Sequence, residues 1–316
     1  MPIQQMLLGS GGEPGFPFTV DKLKYYMDAS NSNVMSGSSR TLQPYDRIGY
    51  VPKTDIGLPP GYNPYFTTSS SVQWQQGQHN NNASTSIYYT APSGNNTGYF
   101  TFDGIADSGG YGLGVENSDF HPSWGSWSWD GWVKPYDLGN FRPNPYGYYA
   151  TQPIVMAVNR AGGPGIGAFT PSTAGAAMHW FYIWKFNNTN AWWGVGNHDY
   201  NNTSHTMTGV MPSSNFNWST NTTWYHFAIT LNGSTGKKSV YIDGGLNMSS
   251  TNSSYKEYPS TPNYHDTRLY IGGAPGQASQ IFRGDISTSR WYFQKELTAA
   301  EVLKNYNYEK SSHGKP

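Results

Sequence analysis

The sequence predicts an all-β protein: an antiparallel β-sandwich of the jelly-roll type, with an extended N-terminal arm and a short C-terminal helix. Short aromatic runs alternate with polar residues and are separated by glycine, proline and Asn-Gly or Asp-Gly pairs, which are strong turn signals. Helical periodicity is confined to one segment near residue 300. Many short strands without helices between them are typical of a sandwich or a barrel.

The composition narrows the classes of function. Aromatic residues make up 16% of the 316 residues and charged residues only 12%, which favours a packed domain over a disordered chain. The formal net charge is zero and no Lys/Arg cluster stands out, so we expect no nucleic-acid partner. There is no cysteine, which excludes disulfides and thiolate metal sites. The N-terminus lacks the pattern of a signal peptide, and no long apolar run predicts a membrane span.

Residues 1–20 predict an arm. An apolar start is followed by a stretch rich in glycine and proline, which forms neither a helix nor a central strand. We expect this arm to dock either on its own domain or on a neighbouring subunit. Its candidate assembly residues are the apolar side chains Ile3, Met6, Leu7, Leu8, Phe16 and Phe18.

Residues 21–308 predict the sandwich. Within them, residues 63–98 are rich in Asn, Gln, Ser and Thr and predict a surface excursion that contains two short strands. The predicted strands are 23–28, 71–75, 87–90, 99–102, 127–134, 154–158, 180–186, 191–195, 224–231, 239–242, 269–271, 282–286 and 290–293.

Two turns and one helix are predicted with specific local chemistry. Asn232-Gly233 and Asp243-Gly244 follow alternating runs and predict hairpins. Thr298 and Glu301 have the spacing of a capping box, in which each side chain binds an unpaired backbone N–H at the start of a helix. Leu297, Val302 and Tyr306 would pack that helix on the sandwich, and residues 309–316 would form a C-terminal tail.

Several motifs, taken in order, resemble a known family. The second half of a laminin-G-like domain of the concanavalin A-like lectin/glucanase superfamily is similar to residues 224–231 (WYHFAITL), 240–244 (VYIDG), 270–273 (YIGG), 282–286 (FRGDI) and 291–302 (WYFQKELTAAEV). The first half resembles residues 99–107 (YFTFDGIAD) and 127–135 (WSWDGWVKP). Residues 23–30 and the opening MPIQQMLLG resemble structural proteins of tailed phages.

The resemblance implies a laminin-G or concanavalin A-like sandwich but leaves the function open, because this fold hosts lectins, adhesion modules, virion proteins and glycosidases. We interpret the chain as a non-enzymatic virion structural protein, a decoration, fibre or knob subunit of a bacteriophage. Its arm would contact other virion proteins or copies of itself, and its sandwich would contact a surface glycan. It would be made in the host cytoplasm and located in the virion. The alternatives are a free carbohydrate-binding lectin and a glycan hydrolase or depolymerase.

Catalytic residues are not predicted. Glycoside hydrolysis needs two carboxylates that flank the scissile bond, and glucanases of this fold carry them as Glu-x-Asp-x(x)-Glu. The six glutamates of this chain form no such pattern, although an unrelated pair such as Asp119 and Asp130 stays open.

Aromatic and acidic residues near loops give the candidate binding sites. Tryptophan and tyrosine stack on sugar rings, so the candidate ligand-binding residues are Trp124, Trp192, Trp193 and Tyr200, whereas we expect Trp127, Trp129 and Trp224 to lie in the core. Relatives of this fold bind Ca²⁺ at a rim, which implies a calcium site at Asp107 with Asp103 and Asp130 as helpers. The simpler interpretation of Asp103 is a turn residue.

Overall fold

The fold is an antiparallel β-sandwich, and the predicted class is confirmed. The computed structural model describes residues 18–19, 21–30, 38–41, 47–48, 72–74, 87–103, 113–116, 125–136, 152–160, 178–185, 191–198, 204–211, 223–252, 266–273 and 282–316. The strands over these residues are, in chain order, β1 (Leu23–Asp28), β2 (Arg40–Thr41), β3 (Arg47–Ile48), β4 (Val72–Trp74), β5 (Ile87–Thr90), β6 (Tyr99–Asp103), β7 (Leu113–Glu116), β8 (Trp127–Pro135), β9 (Gln152–Arg160), β10 (Met178–Lys185), β11 (Ala191–His198), β12 (Ser204–Val210), β13 (Tyr225–Asn232), β14 (Lys237–Ile242), β15 (Gly245–Thr251), β16 (Asp266–Ile271) and β17 (Arg283–Phe293).

The described strands form two sheets. Sheet A has the order β15-β14-β13-β8-β17-β6-β5-β2, and β1 also pairs with β17. Sheet B has the order β12-β11-β10-β9-β16-β7-β4-β3. Neighbours in space are often distant in sequence, as where β8 lies between β13 and β17. Such long-range antiparallel pairing is the jelly-roll arrangement that the sequence predicts.

The main core lies between the sheets and is aromatic. Trp129 of β8 and Phe227 of β13 face Phe181 of β10, with ring centroids 5.9 and 5.1 Å from that of Phe181. All three side chains are fully buried. Trp129 also donates its indole N–H to the Ser289 hydroxyl at 2.8 Å, so its one polar atom is satisfied inside the core.

The outer face of sheet A is buried as well, because the C-terminal segment covers it. Helix α1 (Ala299–Glu309) begins at the predicted capping box and continues into a 3-10 turn at Lys310–His313. The His313 ring stacks on Trp132 of β8, with 4.0 Å between centroids and 6° between planes. Residues at the end of the chain therefore pack on the sandwich.

Strand β17 is continuous where the sequence predicts two separate strands. The pairing of β17 with β8 shifts register between Ile286 and Thr288, which marks a β-bulge at Ser287. The hydrophobic pattern is interrupted at that point, and for this reason the sequence alone splits the strand.

One of the two predicted hairpin turns has a different shape. Asp243 and Gly244 both have positive φ, 51° and 78°, and form the tight turn that their sequence predicts. The turn after Asn232 is longer, because residues 233–236 all lie outside the strands. The Asn232 side chain accepts hydrogen bonds from the backbone N–H groups of Ser234 and Thr235, which stabilises the longer loop.

Gly131 tests how tightly the core is packed. A Cβ atom there would lie 2.5 Å from the Thr288 carbonyl oxygen and 2.7 Å from the Trp129 ring. We expect Gly131→Ala to lower the free energy of unfolding by about 1–3 kcal/mol in urea denaturation, because neither neighbour has room to move. Gly245→Ala is the matched control, since its nearest neighbour would lie 3.6 Å away. Equal stabilities of the two variants would contradict this packing.

Candidate functional site

Of the predicted aromatic ligand residues, the described structure places one side chain, that of Trp193. Trp193 lies in β11 with its side chain fully buried, and its indole N–H donates to Asn247 Oδ1 at 3.0 Å. In this conformation Trp193 cannot stack on a ligand, which corrects the predicted role. Trp192 is also in β11, but its side chain is not described. Trp124 and Tyr200 lie outside the described residues.

Of the predicted calcium residues, the described structure places one side chain, that of Asp130. Asp130 is fully buried on the outer face of sheet A, and its Oδ1 lies 2.9 Å from Nη1 of Arg290. An ion pair with arginine replaces the predicted metal-binding role of Asp130. Asp103 ends β6 with its side chain undescribed, and Asp107 lies outside the described residues, as does Asp119. Within the described residues, no group of three or more His, Cys, Asp or Glu could hold a metal ion.

Two residues of the predicted arm are described, Phe18 and Thr19, and both pack on their own chain. Phe18 is buried, with its ring centroid 5.1 Å from that of Tyr26 and 5.3 Å from that of Tyr308. The Arg290 guanidinium lies 4.9 Å from the same ring. For Phe18 this position fits the alternative of an arm on its own domain. Ile3, Met6, Leu7, Leu8 and Phe16 lie outside the described residues.

A buried charge cluster holds helix α1 on the sheet. Arg290 of β17 contacts the Asp130 carboxylate on one side and donates to Glu309 at the end of the helix on the other. Asn305, one turn earlier in the helix, donates to Asp130 and to the Tyr292 hydroxyl. Both carboxylates are engaged with one guanidinium beneath a helix, so this cluster anchors the helix and does not line a substrate groove.

A cleft of about 400 Å³ lies at the edge of the C-terminal segment. We call it the Trp224 cleft. It lies between the turn of residues 91–98 that joins β5 to β6, Lys134 of β8, Trp224 and the C-terminal turn of residues 312–314. Its wall thus comes from four segments that are far apart in sequence.

The loop wall of the cleft is a short, fixed turn. Ser93 and Asn96 exchange backbone hydrogen bonds of 3.0 and 3.3 Å, and Gly98 donates its backbone N–H to the Ser30 hydroxyl at 2.7 Å. The side chains of Ser93 and Asn96 are exposed. Their hydroxyl and amide groups are therefore available to a molecule in the cleft.

The aromatic wall is built around Lys134. Tyr99 and Trp224 meet edge to face, with centroids 5.9 Å apart. The Lys134 ammonium lies 5.0 Å from the Tyr99 centroid and 5.1 Å from the Trp224 centroid, within cation–π distance of both rings. Its counter-ion is Asp285 of β17, whose Oδ2 is 2.7 Å away and whose side chain is fully buried.

The floor of the cleft includes a neutral histidine. His313 Nδ1 lies 2.8 Å from the Glu309 carbonyl oxygen, which only accepts, so Nδ1 carries the proton and Nε2 accepts from the Ser287 hydroxyl. Burial lowers the pKa of His313 to about 3. Ser287 is fully buried and does not line the cleft, so this Ser–His contact is structural.

Sequence reasoning missed most of this site. It assigned Trp224 to the core, and Trp224 is indeed buried, but the 9% of its surface that stays exposed borders the cleft, which the sequence does not indicate. Lys134 and Asp285 occur in the quoted motifs WVKP and FRGDI, but nothing in either motif indicates that the two strands are adjacent. The contribution of residues 312–314 has no local signal at all.

Comparison with known proteins supports the sandwich. A family model described as "Concanavalin A-like lectin/glucanases superfamily" matches residues 150–303, which confirms the predicted resemblance over that region. Compared with curated proteins, the sequence has no significant match. Within the described residues, no helix has the length and apolar character needed to cross a membrane.

Among solved structures, the chain is similar to the receptor-binding domain of botulinum neurotoxin mosaic serotype C/D, with 13% identity, a TM-score of 0.49 and coverage of 93% of this chain and 51% of that one. It is similar to Domain 4 of AbnA, a GH43 extracellular arabinanase from Geobacillus stearothermophilus, with 15% identity, a TM-score of 0.45 and coverage of 91% and 100%. It is also similar to the heptameric SAP-like pentraxin from Limulus polyphemus, with 14% identity, a TM-score of 0.37 and coverage of 56% and 68%. The chain thus spans about half the length of the neurotoxin domain.

Glu309 makes stability depend on pH. Burial, the largest cause, raises the pKa of Glu309 to about 7, although Arg290 opposes the shift. Between the ordinary pKa of a glutamate and about 7, the folded state binds a proton that the unfolded state has released. The stability contributed by this proton is therefore complete at acidic pH and is lost as the pH rises towards 7.

We expect Glu309→Gln to change the pH dependence of the free energy of unfolding between pH 5 and pH 8, because the amide stays neutral and the fall contributed by Glu309 is lost. Burial lowers the pKa of His226 to about 4 and that of His313 to about 3, so in both proteins these two groups make the free energy of unfolding rise with pH up to the ordinary pKa of histidine. Burial also raises the pKa of Asp28, which leaves a residual slope. Urea denaturation at four pH values measures the effect. Glu301→Gln in the same helix is the control. Burial raises the pKa of Glu301, but hydrogen bonds from Lys295 and Thr298 outweigh burial, so the net shift of this pKa is downward. An unchanged slope in Glu309→Gln would contradict the assignment.

Proposed function

We propose that this protein is a non-enzymatic, glycan-binding protein and that the Trp224 cleft holds a sugar residue. The observation that carries the proposal is the pairing of an aromatic wall, formed by Tyr99 and Trp224, with exposed hydroxyl and amide groups on the opposite loop. A sugar ring has an apolar C–H face that stacks on aromatic rings and hydroxyls that need hydrogen-bond partners. The cleft volume also lies in the usual range of ligand pockets, about 300–1,000 Å³.

The positions of the described carboxylates support a binding function over hydrolysis. A glycosidase needs two carboxyl groups that face the scissile bond. Asp130 and Glu309 are both committed to Arg290, and Asp285 is committed to Lys134. A hydrolase or depolymerase remains the rival function, and release of reducing sugar from a bound glycan would favour it.

A virion role is the second part of the proposal, and it is supported by sequence alone. Residues 1–9 and 23–30 resemble structural proteins of tailed phages. We propose a decoration, fibre or knob subunit that is located in the virion and presents the sandwich to a surface glycan. A free lectin with the same cleft is the alternative, and it would bind glycan without a particle.

The aromatic wall gives the first test. We expect Tyr99→Ala to weaken binding on a glycan array about two- to tenfold, because a stacked aromatic ring contributes about 0.5–1.5 kcal/mol. Tyr99→Phe keeps the ring and should keep most of the affinity. Met248→Ala, an exposed residue on β15, is the matched surface control. Equal binding by Tyr99→Ala and the unaltered protein would exclude this cleft as the glycan site.

Deletion of residues 2–17 tests the virion role and leaves the buried Phe18 in place. We expect the deletion to prevent co-sedimentation with phage particles while glycan binding by the isolated protein is retained. The unaltered chain is the control. If the truncated protein still joined particles, the arm would not be the anchor. If the unaltered chain never did, the virion role would be wrong.

A further inference from the structure

We infer that the Trp224 cleft selects uncharged sugar residues, and that Asp285, which lies behind the cleft, sets this preference by neutralising Lys134. The inference rests on the proposed function and adds the chemical class of the ligand and the residue that determines it.

The cleft wall includes a cation, the ammonium group of Lys134. Lys134 is the only charged side chain of the described cleft wall apart from the titratable His313. On its own, a partly exposed ammonium in an aromatic cleft would attract carboxylated sugars such as uronic or sialic acids. Its ammonium is instead 2.7 Å from Asp285 Oδ2, and its side chain is only 16% exposed.

Asp285, the partner of that cation, is held in place by two hydroxyl donors. The Thr101 hydroxyl donates to Oδ1 at 2.7 Å, and the Tyr136 hydroxyl donates to Oδ2 at 2.5 Å. Burial and the neighbouring carboxylate raise the pKa of Tyr136, so its hydroxyl stays a donor. The strand register places Asp285 directly opposite Lys134 on one side and Thr101 on the other. A carboxylate fixed from both neighbouring strands cannot move away to expose the lysine charge.

The charges at the cleft sum to zero, because the positive charge of Lys134 is balanced by Asp285. His313 is neutral above pH 4, since burial lowers its pKa to about 3. The remaining wall residues are serine, threonine, asparagine, alanine, glycine, tyrosine and tryptophan. The cleft together with the ion pair behind it therefore carries no net charge. An anionic sugar would lose its hydration without gaining an unpaired cation, whereas a neutral sugar meets hydroxyl, amide and aromatic groups.

The test uses the full chain on a glycan array in which each neutral glycan stands beside its uronic acid or sialylated counterpart. We expect the neutral member of the best-bound pair to bind at least tenfold more tightly, with little change between 20 and 300 mM NaCl. Tighter binding of the anionic member would overturn the inference while leaving glycan binding intact. Failure of every glycan to bind would instead overturn the proposed function on which the inference depends.

Asp285→Asn tests the role of the residue behind the cleft. This substitution keeps the shape of the side chain and leaves Lys134 unpaired. The affinity for the anionic glycan of a pair should therefore rise about tenfold relative to that for the neutral glycan, and this rise should disappear at 300 mM NaCl. Adding Lys134→Met should reverse the gain, which a merely structural effect would not do. Asp21→Asn, which removes the carboxylate paired with Lys295 outside the cleft, is the control. If folded Asp285→Asn kept the same preference for neutral over anionic glycans, the role of Asp285 would be refuted. If this variant fails to fold, the comparison of paired glycans on the unaltered chain still tests the ligand class.

Discussion

The structure depends on one buried arginine. The Arg290 guanidinium is fully enclosed and is shared between Asp130 of the sheet and Glu309 of the helix, with the Phe18 ring packed against it. Loss of one partner of such a pair leaves an uncompensated buried charge, which typically costs about 3–5 kcal/mol. Since the C-terminal turn follows directly after Glu309, the same contact that seats helix α1 also positions one wall of the Trp224 cleft.

Local patterns in the sequence predicted the sandwich well. Alternating aromatic runs and the Asp243-Gly244 turn depend on interactions within a few residues, and these signals are visible in a single chain. Strand β15 was not predicted, because its alternation is weak and its residues are nearly all exposed at the sheet edge. The sequence predicted that the helix packs on the sandwich but not which face it covers, since burial by a helix far along the chain leaves no periodicity that differs from that of an inner strand.

The candidate site could be predicted only in part. Tryptophan and tyrosine were taken as the informative residue types, but Trp193 is fully buried, and Trp224, which is buried as expected, also borders a cleft. Which aromatic ring reaches a surface is decided by strand order, and that order joins β8 to β17 across about 150 residues. No local rule reveals that Lys134 and Asp285 face each other, so the neutrality of the cleft is a property of the fold alone.

The bulge at Ser287 explains how one strand serves both the cleft and the helix. Successive side chains of a strand point to opposite faces, so Asp285 and Arg290, five positions apart, would ordinarily lie on opposite sides of sheet A. The extra residue resets the phase, and both charged groups emerge on the outer face opposite Lys134 and Asp130 respectively. A further residue inserted between Asp285 and Arg290, with no second bulge to absorb it, would turn the guanidinium towards the aromatic interior. The two ion pairs on the outer face therefore constrain the length of this segment, and Ser287 itself is held by its contact with His313.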